Sequence, residues 1–177
     1  MNFLPNLLII AGTGTKSGKT TFACRIIEQF MELGLVGIKI SPHFHDKTSG
    51  LLERSSAEGY SIHIETNGGT EKDTSRMLRA GASKVFLALV WDSGLTEVFN
   101  KIMEEIPAGT PVVCESPSLR NYIEPGLFII MTSETENKRH DLNHLQELPH
   151  VMFKLEELKD FKRLPVDFKD GKWSSEA

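Results

Sequence analysis

The chain has 177 residues, 40% hydrophobic and 25% charged, enough to close one apolar core without disulfide or metal support and to bury roughly 70% of its unfolded surface. Twenty basic and 24 acidic side chains give a net charge of −4, and no segment concentrates Lys and Arg, which argues against a nucleic-acid partner. Cys24 and Cys114 lie far apart without C-x-x-C spacing and read as buried thiols of a reduced, cytoplasmic chain, while residues 1–6 lack a basic n-region and the next apolar run is too short to span a bilayer.

The run Leu7-Leu8-Ile9-Ile10-Ala11 predicts a buried strand. It leads directly into Gly12-Thr13-Gly14-Thr15-Lys16-Ser17-Gly18-Lys19-Thr20, and a helix-period segment begins within the Gly-Lys-Thr triplet. A phosphate-cradling loop requires this context. Glycines let backbone N–H groups turn inward on a polyphosphate, Lys19 supplies a mobile cation, and Thr20 offers a hydroxyl to Mg²⁺ at the positive end of the helix. The expected nucleotide-binding residues are Gly14, Thr15, Lys16, Ser17, Gly18, Lys19, Thr20 and Thr21. The strict pattern G-x-x-x-x-G-K-[ST] wants glycine at position 13 and finds Thr13, so the loop is a variant.

Phe22, Ala23, Ile26, Ile27, Phe30 and Met31 form a helical stripe that stops at Gly34. Val36–Ile40 reads as a second strand, followed by the polar loop Ser41-Pro42-His43-Phe44-His45-Asp46. Tyr60, Ile62 and Ile64 alternate with Ser61, His63 and Glu65, which predicts a half-exposed strand hairpinned with Leu51–Arg54 as a small β insertion near residues 50–66. Asp73–Ala80 predicts a short helix ended by Gly81, Val85–Trp91 a buried strand, and Leu95–Ile106 a helix closed by Pro107. Val112–Cys114 and Leu127–Met131 are two more strands. Beyond Lys154, Leu155, Leu158 and Phe161 mark an amphipathic helix, with a frayed tail from about residue 165. Strands alternating with helices imply one α/β domain over residues 1–177: a doubly wound, mainly parallel sheet with helices on both faces and ligands at its carboxyl edge.

Mg²⁺ on a nucleotide takes one or two carboxylates, which draws attention to Asp46, Asp92 and Glu115. Glu115 ends an apolar strand, as a metal-linked acid does in P-loop enzymes. Asp92-Ser93-Gly94 serves equally as a turn or a helix cap. His43 and His45 with Asp46 form an i, i+2 pair without a third His or Cys, a thin basis for a metal site. Asn137-Lys138-Arg139-His140-Asp141 has one residue too many for a guanine-reading N-K-x-D and reads as a polar helix start. The expected catalytic residues are Lys19, Asp46 and Glu115, and the expected metal ligands are Thr20, Glu115 and Asp46.

The loop from Gly12 to Thr20 resembles that of dethiobiotin synthetases, with Gly14 where that branch often has a second lysine. Several blocks in order resemble the molybdopterin-guanine dinucleotide biosynthesis protein B (MobB) family. These are Ser17-Gly18-Lys19-Thr20-Thr21; Gly37-Ile38-Lys39 leading into His43-Phe44-His45-Asp46; Lys72-Asp73-Thr74 with Arg76, Leu78, Arg79 and Ala80-Gly81-Ala82; and Val113-Cys114-Glu115 followed by Ile123-Glu124-Pro125 and Leu127–Met131. The resemblance spans roughly residues 7–131. Ser116 stands where that family has glycine, and Pro117-Ser118-Leu119-Arg120 differs from its usual segment. The likeness implies Mg²⁺-dependent GTP binding with slow hydrolysis, a homodimer, and work beside a molybdopterin guanylyltransferase and molybdopterin. The dethiobiotin synthetase likeness implies instead an ATP-dependent ligase acting on a small metabolite. A non-catalytic nucleotide switch is the third reading.

Overall fold

The computed structural model describes residues 1–42, 49–135, 137–138 and 143–176, with Asn137 and Lys138 described by backbone alone. Strand β1 (Asn2–Gly12) is followed by the short β2 (Gly14–Thr15), helix α1 (Lys19–Gln29) and β3 (Val36–Ser41). The hairpin β4 (Leu51–Ala57) and β5 (Tyr60–Glu65) leads to α2 (Asp73–Arg79), β6 (Lys84–Val90) and α3 (Leu95–Glu104). Then come β7 (Val112–Glu115), β8 (Ile123–Thr132), β9 (Asn137–Lys138), α4 (Asn143–Gln146) and β10 (Val151–Lys154), and the chain closes with the hairpin β11 (Val166–Lys169) and β12 (Lys172–Ser175).

The main sheet has eight strands in the order β10-β8-β1-β7-β3-β6-β5-β4. From β10 to β6 every pairing is parallel, and at the edge β5 pairs antiparallel with both β6 and β4. Leu7 to Ala11 are fully buried because β1 is covered on both faces, which is why an unbroken apolar run works there. Leu7, Ile9 and Ala11 face the side packed by Leu95, Val98, Phe99 and Ile102 of α3. Leu8 and Ile10 face Phe22, Ala23, Ile26 and Ile27 of α1. Each of the Leu, Ile, Val and Phe side chains contributes about 1.5–3 kcal/mol on burial. The doubly wound α/β arrangement thus has helices on both faces.

Four expectations change. The hairpin expected near residues 50–66 is present and joins the central sheet, but β5 is covered on both faces instead of half-exposed, with His63 and Glu65 buried beside Ile62. Glu65 tolerates burial because its carboxylate accepts from the Thr74 hydroxyl at 2.8 Å and the Asn67 N–H at 2.9 Å. Trp91 leaves the strand and is 54% exposed. Leu155–Asp160 forms a 3-10 turn, preceded by a parallel strand, β10, that the short apolar signal did not reveal. The tail is not frayed: β11 and β12 pair over four residue pairs, and Trp173 is fully buried. Its aromatic neighbours include Phe30, far away in the chain, a contact that local polarity does not reveal.

Among the described residues no helix is long and apolar enough to cross a membrane. Cys114 is buried and Cys24 half-buried, and both are free thiols. Burial pushes the Cys24 thiol up to about 11, which keeps it protonated and inert at neutral pH.

Candidate functional site

The carboxyl ends of β1, β7, β3 and β6 meet at one edge of the sheet, where a cleft of 780 Å³ opens. Gly14, Thr15, Lys16, Gly18, Lys19, Thr20 and Thr21 form one wall, so the structure gathers the expected binding residues around a single opening. Ser17 is fully buried and acts from within the loop: its hydroxyl donates to the Gly14 carbonyl at 2.9 Å. The Lys19 ammonium donates to the same carbonyl at 2.7 Å and to Ser17 Oγ at 3.1 Å.

The loop departs from the strict glycine pattern for a visible reason. The close approach falls at Gly12, where a Cβ would meet Ser17 Oγ at 2.1 Å and Lys19 Cγ at 2.8 Å. Thr13 needs no such room, and its N–H donates to the Met131 carbonyl at 3.1 Å. Gly18, with φ 89°, caps α1 in the left-handed region that glycine adopts without penalty. Lys16 holds φ 66° without that freedom, a backbone strain of the kind concentrated at ligand clamps. The loop is also pinned from outside, because Gly14–Thr15 pairs antiparallel with Asn137–Lys138. Asn137 and Lys138 therefore lie in a strand, not a helix start, while Arg139, His140 and Asp141 lie outside the described residues.

Beneath the loop, Thr20 Oγ1 donates to Glu115 Oε2 at 2.8 Å, and the Lys39 ammonium donates to Glu115 Oε1. Glu115 is 2% exposed and reaches the cleft through these two partners. Lys39 also pairs with Asp73 at 3.0 Å, and Arg76 approaches Asp73 at 4.0 Å while donating to Thr21 Oγ1 at 3.3 Å. A closed chain of charge and hydroxyl groups thus joins α1, α2, β3 and β7.

Burial works against the Lys39 charge, but Glu115 and Asp73 outweigh it and hold the ammonium above its usual pKa. For Asp73, burial favours the neutral acid, while Lys39, the Thr20 hydroxyl and Arg76 overcome it and lower the carboxyl below its ordinary 3.8. A depressed carboxyl stabilises the fold above the unfolded value, and that contribution disappears as pH falls from 3.8 through the folded value. A raised ammonium stabilises below 10.5, and its share disappears as pH climbs through the folded value. The share that this pair contributes to the urea midpoint should therefore be flat between these limits, and Asp73→Asn should flatten the acid limb. An unchanged acid limb would show that Asp73 is not stabilised through this network.

Of the other expected residues, Asp46, His43 and His45 lie outside the described residues. Asp92 opens a 3-10 turn, Asp92–Gly94, and lines the cleft as well. Lys39, Asp73 and Arg76 were absent from the expected catalytic, binding and metal sets. A lysine inside the apolar strand Val36–Ser41 was a signal available for the first. Asp73 stood in the Lys72-Asp73-Thr74 block but was given no role, because an acid in a helix's first turn already has a dipole explanation. Thr20 and Glu115 are hard oxygen donors, the chemistry Mg²⁺ takes from protein, and no group of three or more His, Cys, Asp or Glu forms a dedicated cage among the described residues.

No family model matches this chain, and no curated protein does. Among solved structures it is similar to the "apo" form of LpxK from Aquifex aeolicus, crystallised in complex with ATP, with a TM-score of 0.52 and 15% identity. The match covers 97% of this chain and 54% of that one, so the chain spans about half the length of that neighbour. The likeness shows a shared α/β fold, a mainly parallel sheet with helices on both faces.

Proposed function

We propose that this chain is a Mg²⁺-dependent GTP-binding P-loop protein with slow hydrolysis, accessory to molybdenum-cofactor biosynthesis in the manner of the MobB family. The observation that carries the nucleotide reading is the Thr20–Glu115–Lys39–Asp73 chain set directly beneath the Gly12–Thr20 loop. Loop amides and Lys19 take the terminal phosphates, and Thr20 with Glu115 holds the metal. Bound Mg²⁺ would neutralise developing phosphate charge. Lys39 pairs with both Glu115 and Asp73, which holds the two acids in place beneath the loop. The guanine preference, the homodimer and the partnership with a molybdopterin guanylyltransferase and molybdopterin rest on the sequence blocks around Lys72-Asp73-Thr74 and Ala80-Gly81-Ala82.

A second reading, ATP-dependent transfer to a small acceptor, draws support from the neighbour crystallised with ATP. The cleft also continues past the loop to Ile40, Pro42, Val90, Leu95 and Pro117, space an acceptor could use. A thermal-shift series with GTP, ATP and CTP, with and without Mg²⁺, separates the two. Ligand at a hundred times its dissociation constant stabilises by about 2.7 kcal/mol, which moves the midpoint by roughly 5–11 °C for a chain of this size. The largest shift is expected with GTP and Mg²⁺. A larger ATP shift selects the second reading, and no shift with any nucleotide removes both.

A further inference from the structure

Away from the cleft, toward the amino ends of β1, β8 and β10, lies a second cavity of 410 Å³. It opens where the β1–β8 register shifts, at Pro125 to Leu127 opposite Leu4 and Leu8. Gly126 makes that crossing possible, since a Cβ there would stand 2.0 Å from the Pro5 carbonyl oxygen. Phe3, Leu127, Phe128, Pro149 and Val151 give the cavity an apolar side, and polar groups make up the rest of its wall.

Arg120 lines the same cavity and is only 5% exposed. Its guanidinium lies over the Phe128 ring at 5.6 Å. Its hydrogen bonds are weak ones: Nη1 donates to the Ile123 carbonyl at 3.4 Å and toward the Met1 sulfur at 3.2 Å, while Nε has no partner. Among the described residues no carboxylate comes within 4.0 Å of it, and Glu124 acts on it only from further away. Burial works against the charge and lowers the guanidinium's pKa. A buried cation in this condition is expensive to keep, and its planar fork of donors matches a carboxylate. Lys172, 5.9 Å from the Phe3 ring, and His150 also line it; exposed Glu124 is the one acid there among the described residues.

We propose that this cavity binds a small organic carboxylate with an apolar body, its carboxylate on Arg120 and its body against Phe3 and Phe128. The site is linked to the nucleotide cleft by one short turn. Ser116, Pro117 and Ser118 line the cleft, Arg120 lines the distal cavity, and fully buried Leu119 fixes the turn Ser118–Asn121 between them. A ligand that pulls on Arg120 therefore moves the cleft wall beside Glu115, and the coupling is reciprocal.

Benzoate titrated calorimetrically into nucleotide-free protein tests the site independently of the nucleotide reading. Saturable binding is expected, weakened about 10- to 100-fold by Arg120→Met and less by Arg120→Lys, which keeps the charge without the fork. Lys172→Met, a surface change, should weaken it several-fold. The thermal midpoint of ligand-free Arg120→Met should equal or exceed that of the parent, because removing an unpaired buried charge relieves the fold. No saturable heat up to about 10 mM benzoate, or an affinity indifferent to both Arg120→Lys and Lys172→Met, overturns the site. Tighter binding of inorganic phosphate than of benzoate overturns the carboxylate assignment. Benzoate that binds through Arg120 yet leaves nucleotide affinity unchanged overturns the link between the cavities.

Discussion

Lys19→Ala is expected to weaken Mg²⁺-nucleotide binding about 10- to 100-fold, since charge-assisted hydrogen bonds contribute roughly 1.5–3 kcal/mol. In the free protein the Lys19 ammonium rests on the Gly14 carbonyl, which Ser17 Oγ also satisfies at 2.9 Å. The Gly14 carbonyl therefore keeps a donor when Lys19 is removed, and the ligand-free midpoint should stay close to that of the parent. This separates loss of affinity from loss of fold. Equal responses of parent and variant to every nucleotide would show that Lys19 does not meet the phosphates. The loop would then be a strand-to-helix turn with no ligand of its own.

Trp173→Ala is expected to destabilise the protein by about 3–5 kcal/mol, a drop of about 6–20 °C in melting temperature. Trp173 is fully buried, packs edge-on against Phe30 at 5.1 Å and against Phe168 at 4.8 Å, and donates Nε1–H to the Asn6 carbonyl at 2.9 Å. Trp173→Phe keeps most of the packing and should lose about 1 kcal/mol with the hydrogen bond. The consequence reaches the candidate site because the same segment braces α1. Arg25 donates to the Leu158 and Phe161 carbonyls, and Gln29 donates to the Leu164 and Val166 carbonyls at 3.2 Å while its Oε1 accepts from Leu164 N–H at 2.8 Å. Nucleotide affinity should accordingly fall with stability in Trp173→Ala. A chain ended at residue 165 should likewise unfold at lower denaturant than the full chain, and an unchanged midpoint would restore the frayed tail.

Much of the candidate site was legible along the chain because its parts are contiguous. A buried strand, a glycine-rich turn and a helix opening on Lys19-Thr20 carry their own geometry, and Glu115 stood out as an acid closing an apolar strand. Lys39, Asp73 and Arg76 were less legible, since each looks ordinary in its own window and gains meaning only when β3 and α2 come beside β7. His63 and Glu65 show the same limit. Alternation with Ile62 and Ile64 predicts an exposed face, which the neighbouring elements cover.

By itself the sequence determined the strand–loop–helix cradle, the parallel α/β plan and the two helix-covered faces, because local periodicity and turn chemistry specify these without distant partners. Tertiary structure alone decided that the last residues form a packed hairpin bracing α1 and that Lys39 bridges two acids under the loop. It also decided that Arg120 is buried, with no carboxylate of the described residues beside it, at a second cavity. Each of these depends on side chains separated by tens of residues, and burial and charge pairing are properties of the assembled layers rather than of any one segment.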